Sequence, residues 1–138
     1  MFDDDDPVLR RVRTIALAFP GAAEKVSHGR PVFFTTKIFA YYGGSTKVDG
    51  VYQQHDQSVV VKPDEDEARA LADEERTYPP AYLAPSGWIG IDLDGAGTDW
   101  AEIRELVEAS YRMTAGRRHI AELDARVQSG PASGRAES

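Results

Sequence analysis

The sequence predicts a two-layer α+β domain, an antiparallel sheet covered on one side by helices. Three observations point there. Helical and strand periodicities follow one another as helix, three or four strands, helix, strand, helix, helix. No strand-to-helix junction carries the Gly-rich phosphate turn of a βαβ unit, which argues against a Rossmann nucleotide site. A chain of 138 residues, 41% of them hydrophobic, is long enough to bury one core without cross-links, and it has no cysteine. The missing cysteines exclude a disulfide framework, a thiolate zinc site, an iron–sulfur cluster and a cysteine nucleophile.

The first helix is marked by Asp6 at the N-cap and Pro7 at the first helical position, with more aspartates complementing the helix dipole. Val8, Val12, Ile15 and Phe19 share one face, and Pro20-Gly21 ends the helix. The four aspartates are read as a solvated cap, because a hard-cation loop spaces its ligands around a glycine turn. Residues 31–36 and 38–42 are β-branched or aromatic runs joined at Lys37. Residues 43–46 and Asp49-Gly50 carry turn chemistry. Residues 51–54 make a short strand and 58–62 a firmer one, with Val59 and Val61 facing one way and Ser58, Val60 and Lys62 the other.

Asp64 and Glu67 have capping-box spacing and open a short helix over residues 64–75; the acidic run is its solvated start. The prolines of residues 78–82 make a stiff extended connector. Residues 88–94 alternate, with Ile89, Ile91 and Leu93 inward and Trp88, Gly90 and Asp92 opposite. Residues 95–97 turn into a helix capped by Thr98 or Asp99. Its core face carries Trp100, Ile103, Val107, Ser110 or Tyr111, and Thr114. A last helix is expected over residues 117–127, so that the domain spans 1–127 and 128–138 form a disordered tail.

Sixteen cations against twenty-three acids give a net charge of −7, which repels nucleic acid and anionic membrane unless the cations are segregated. They are partly so. Residues 25–63 carry Lys25, Arg30, Lys37, Lys47 and Lys62 against Asp49 and Asp56, whereas residues 64–108 carry three arginines against thirteen acids. No apolar run is long enough to span a bilayer, and the acidic start is the wrong charge for a targeting signal, so a soluble cytoplasmic protein is expected.

Pro20-Gly-Ala-Ala-Glu24, His28-Gly-Arg-Pro-Val-Phe33 and Lys37-Ile-Phe-Ala40 resemble the MmcQ/YjbR family. So do Val60-Val-Lys62, Pro80-Ala-Tyr82, Gly87-Trp88, Asp92-Leu93 and Ser110-Tyr111, in order along nearly the whole domain. The segment 43–57 is longer than the family's usual turn. The resemblance implies a compact α+β fold similar to secretion-chaperone-like domains. It also implies DNA binding through a double-wing arrangement, with no shared reaction or cofactor. Fold likeness alone is thin support for a function.

The candidate site residues are His28, Arg30, Lys37, Lys62 and Trp88, with Tyr82 in a possible pocket. His28 and Arg30 flank a Gly-Pro turn as anion contacts; the plainer reading is a turn entering a strand. Lys37 and Lys62 stand in or beside strands, where lysine is depleted, and either blunt an edge or meet phosphate. Trp88 either shares the open face with Lys62 and stacks a base, or packs under the 78–82 connector. Tyr82 and Tyr111 offer hydroxyls, with Tyr111 on a core face and Trp100 in the core. His28, His55 and His119 are too scattered for a metal, and Asp92 and Asp94 share a strand face without a partner base.

The expected function is therefore non-enzymatic: weak, salt-sensitive, sequence-independent nucleic-acid binding on a cationic–aromatic sheet face, with no cofactor, metal or catalytic residue. The alternative is a module for a protein or small anionic ligand. Shape separates the two: a flat basic strip favours the first and a concave apolar pocket the second.

Overall fold

A computed structural model describes residues 3–93 and 97–129. The elements are α1 (Pro7–Leu17), β1 (Ala23–Ser27), β2 (Arg30–Phe34), β3 (Ile38–Val48), β4 (Val51–Val61), α2 (Glu65–Ala72), β5 (Thr77–Tyr78), a 3-10 turn (Ala84–Ser86), β6 (Ile89–Asp92), α3 (Trp100–Thr114) and α4 (Arg117–Ser129). Among the described residues the six strands form one sheet in the order β1-β2-β3-β4-β6-β5, with every neighbouring pair antiparallel. The α+β expectation holds.

Helices cover one face. Leu9, Val12 and Ala16 of α1, Ile103, Val107 and Tyr111 of α3, and Leu123 of α4 pack with Phe33, Phe39, Val59, Val61, Ile89, Ile91 and Leu93 of the sheet side. Phe19 and Tyr111 stack at 5.0 Å, and Phe39 meets Tyr111 edge-on at 5.2 Å. The Tyr111 hydroxyl donates to Pro20 O (2.6 Å). Ser110 pins α3 to the sheet: its buried hydroxyl donates to Phe39 O (2.5 Å) and accepts from the Lys62 N–H (2.8 Å). Trp100 packs against this core, as expected, but only in part. It is half-buried at the rim, with the Arg11 guanidinium 4.9 Å over its ring.

At α1 the Asp6 side chain caps Val8 N–H (2.9 Å), as its place before Pro7 predicts. Burial opposes the Asp6 carboxylate, but hydrogen bonds from Tyr42 (2.5 Å), Val8 and Gln57 (3.1 Å) outweigh it and hold its pKa below the ordinary value. One carboxylate thus ties α1 to β3 and β4.

Three strand expectations are corrected. Ala23–Ser27, where the sequence predicts no strand, is the edge strand β1, mostly exposed and so without the apolar alternation that would mark it. Residues 43–46, read as a turn, lie inside β3. Residues 51–54 and 58–62, read as two strands, belong to one continuous β4 ending at Val61. Residues 43–46 carry turn-type residues although they are buried or half-buried in β3, and the outer half of β4 is largely exposed and carries no hydrophobic period. The Asp49-Gly50 turn is as expected: both residues have positive φ (51° and 80°), closing a two-residue hairpin loop between Val48 and Val51. Helix α4 runs to Ser129, so residues 128 and 129 are helical; the rest of the expected tail, and Asp94-Gly95-Ala96, lie outside the described residues. No helix among the described residues is long and apolar enough to cross a membrane.

Candidate functional site: a groove on the face away from the helices

The site begins with a defect in β3. Gly43 has φ +80°, and the β3–β4 register shifts between Tyr42 and Gly44, a bulge that bends the strand. The β2–β3 pairing runs only from Phe34/Ile38 to Val32/Tyr41. Beyond it the β1–β2 and β3–β4 hairpins part. The connector after β5 meets the outer half of β3: Ala81 N–H donates to Ser45 O (2.8 Å), and the Thr46 hydroxyl to Pro79 O (2.8 Å).

Between these pieces is a groove of about 560 Å³. The β1–β2 turn supplies Ser27, His28 and Arg30. The sheet supplies Tyr41, Gly43, Gly44, Ser45 and Val60, and the connector supplies Pro80, Ala81, Tyr82 and Leu83. The register places Val32, Tyr41, Val60, Gly90 and Tyr78 in one row across the sheet, on the face opposite the helices. The groove is therefore mostly apolar, with its cationic group at one end.

Arg30 is fixed by glycine. Its guanidinium runs where a side chain on Gly43 would stand, donates to Gln54 Oε1 (2.5 Å) and faces Asp56 Oδ1 at 3.5 Å. Its side chain is 25% exposed and that of Asp56 68%. The same arginine borders an acidic cleft of about 390 Å³ with Asp3, Asp5, Asp6 and Asp56. His28 is exposed in the two-residue turn with Gly29 (φ 53° and 78°) that joins β1 to β2. Tyr82 is 84% exposed at φ +69°, an unusual conformation for a bulky residue; its hydroxyl is 2.6 Å from that of Tyr52, and the two rings stack at 6.4 Å.

Behind the groove Tyr78 lies over β6. Its ring occupies the space where a Gly90 side chain would be, and its hydroxyl is 2.6 Å from Ser58 Oγ. Burial pushes the Tyr78 phenol up to about 12, against the opposing effect of the hydrogen bond shared with Ser58, so it stays protonated at neutral pH. The His55 ring stacks on Tyr78 at 3.9 Å, and its Nδ1–H donates to Asp92 Oδ1 (2.7 Å). Asp92 therefore has the partner base that its strand position gave no sign of. His55 Nε2 is buried without a hydrogen bond.

The sequence candidates divide. His28, Arg30 and Tyr82 meet in the groove. Trp88 is half-buried and edge-on to Tyr41 (5.2 Å), supporting the groove from the side while bordering a separate hollow with Ala68 and Ala72. Lys62 is half-buried, faces Gly87, and borders a third hollow with Glu65 and Arg69. Lys37 is exposed at the β2–β3 turn, where its carbonyl accepts from Thr35 N–H (3.1 Å). Lys62 and Trp88 are brought close, since the β4–β6 register pairs Val61 with Ile89 and both residues border Gly87, whereas Lys37 is at the β2–β3 turn and borders neither hollow. Tyr41, Gly43, Gly44 and Pro80 also line the groove, although the sequence marks residues 43–46 only as turn chemistry; a Gly pair straight after an aromatic strand is a legible bulge signal.

A family model described as YjbR matches residues 17–113. No curated protein matches the chain. Among solved structures, the crystal structure of Deinococcus radiodurans protein DR2400, with a domain described as DUF419, is similar over 84% of this chain and 87% of that one, at a TM-score of 0.56 and 17% identity. At that identity the likeness is one of fold. The family match runs from the last residue of α1 through both hairpins and into α3, and on it the chain belongs to the YjbR family.

Proposed function

We propose that the chain is a binding domain that takes a small amphipathic anion into the groove between the β1–β2 turn and the 79–83 connector. One observation carries the reading: the concavity is mostly apolar, and its charge is confined to the Arg30 end. Ligand pockets have this character, an apolar lining with a few placed polar groups, at volumes of roughly 300–1,000 Å³. A phosphate-tracking surface needs several cations along one strip. Here Arg30 faces Asp56, Lys25 and Lys47 lie over the Phe34 and Tyr52 rings, and Lys62 lines a hollow other than the groove. The reading is of binding rather than catalysis, since the His55–Asp92 pair keeps Nε2 buried, out of reach of a bound molecule.

The test sets two assays side by side. A thermal-shift panel of small aromatic and branched anions should raise the melting temperature by mass action, and Tyr82→Ala should abolish the rise. Fluorescence anisotropy with labelled single- and double-stranded DNA at low salt should show no binding that depends on Lys37 and Lys62. Silence across the panel, together with DNA binding lost in a Lys37→Ala/Lys62→Ala variant, overturns the proposal in favour of nucleic acid.

A further inference from the structure

Resting on that groove reading, we infer that the ligand is an aromatic monocarboxylate whose carboxylate takes the place of Asp56 at Arg30. The groove has one guanidinium, and it is held in place before any ligand arrives: a Gly43 without a side chain leaves it room, and Gln54 accepts from one of its nitrogens (2.5 Å). A planar guanidinium matches a carboxylate in geometry and charge, and such charge-assisted pairs are the strong ones. Its present counter-ion is itself a carboxylate, Asp56, at 3.5 Å. That separation is at the outer limit of a hydrogen bond, and Asp56 is mostly exposed, so it can swing into water at little cost.

The surroundings select charge as well as shape. Arg30 also borders the neighbouring cleft, which presents Asp3, Asp5 and Asp6 along with Asp56. A phosphate dianion would bring two charges to one guanidinium with these acids close by, whereas a monoanion only exchanges with Asp56. The remaining lining, with Tyr41, Tyr82, Val60, Pro80 and Leu83, offers aromatic and aliphatic surface to a flat apolar body.

Titrations of the full chain with 2-naphthoate, 2-naphthamide and 2-naphthyl phosphate test this, read by amide shifts of Gly43, Gly44 and Ala81 in proton–nitrogen NMR spectra. Naphthoate should bind about tenfold or more tighter than the neutral amide, the factor that one charge-assisted hydrogen bond supplies. Asp56→Asn should tighten naphthoate and leave the amide unchanged; Arg30→Met should bring naphthoate down to the amide's affinity. Equal affinities for naphthoate and naphthamide overturn the carboxylate inference and leave the groove reading standing. Tighter binding of the phosphate overturns it too. Unchanged or weaker naphthoate binding in Asp56→Asn, a surface variant that spares the fold, refutes the exchange. No shift at those amides with any probe at millimolar concentration overturns both readings.

Discussion

Replacing Gly90 with alanine puts a methyl group into the ring of Tyr78, since the position of a Cβ on Gly90 falls among that ring's atoms. Gly90 is not one of the positive-φ glycines, so the backbone accepts alanine and the cost is steric. Tyr78 is 5% exposed. A tyrosine of this burial hides roughly 150–250 Å². At about 25 cal/mol per Å², unseating it entirely would cost about 4–6 kcal/mol. The hydroxyl bond to Ser58 (2.6 Å) adds about 1 kcal/mol. Partial adjustment of the ring brings the expected loss to about 2–4 kcal/mol. At roughly 3 °C per kcal/mol, the melting temperature should fall by about 6–12 °C. Urea unfolding of the four proteins of a Gly90→Ala/Tyr78→Ala cycle measures the contact. In the Tyr78→Ala background the Gly90 substitution should cost nothing, or gain about 0.5 kcal/mol from a less flexible unfolded chain. An equal cost in both backgrounds would refute the seating of Tyr78 on Gly90. The consequence reaches the groove, because the Tyr78 hydroxyl also lies 2.5 Å from where a Gly44 side chain would begin.

Tyr82→Gly should leave stability unchanged or raise it by about 0.5–1 kcal/mol, since glycine relieves a positive φ at an exposed position. The same change removes a groove wall, so 2-naphthoate affinity should fall while the melting temperature does not; calorimetry and titration on one sample check both. Asp6→Asn addresses acid stability. The folded pKa of Asp6 is lowered from its ordinary value near 3.8, so its contribution is complete above that pH and lost as pH falls through the depressed value. Stability measured from pH 5 to 2 should therefore fall less steeply in Asp6→Asn than in the parent, and parallel curves would count against the Tyr42 and Gln57 bonds to Asp6. Glu24→Gln should cost about 1 kcal/mol in urea unfolding, because Arg13 grips both Glu24 oxygens (2.7 and 2.9 Å) and so joins α1 to the edge strand β1.

What could be seen in the sequence was local. Asp6 before Pro7 announced the first cap, and Asp64 with Glu67 the second: the Asp64 side chain accepts from Glu67 N–H at 2.8 Å. The alternation of Ile89, Ile91 and Leu93 announced a core strand face. Where exposure removes the hydrophobic period, as in β1 and the outer half of β4, the strand signal is absent or broken. The site was only half legible for a related reason. Arg30 drew notice as a cation beside a turn, but its meeting with Gln54 and Asp56 depends on Gly43, thirteen residues away on another strand. His55 and Asp92, 37 residues apart, join only because β4 and β6 lie side by side.

The sequence by itself determined which segments turn, cap and bury, because those preferences act within a few neighbouring residues. Only the tertiary structure decided that His28, Arg30 and Tyr82 gather round one groove while Lys62 and Trp88 border other hollows. Strand order, the bulge at Gly43 and the path of the 79–83 connector decide which distant side chains share a face, and those are settled by packing across the whole sheet rather than by any short run of residues.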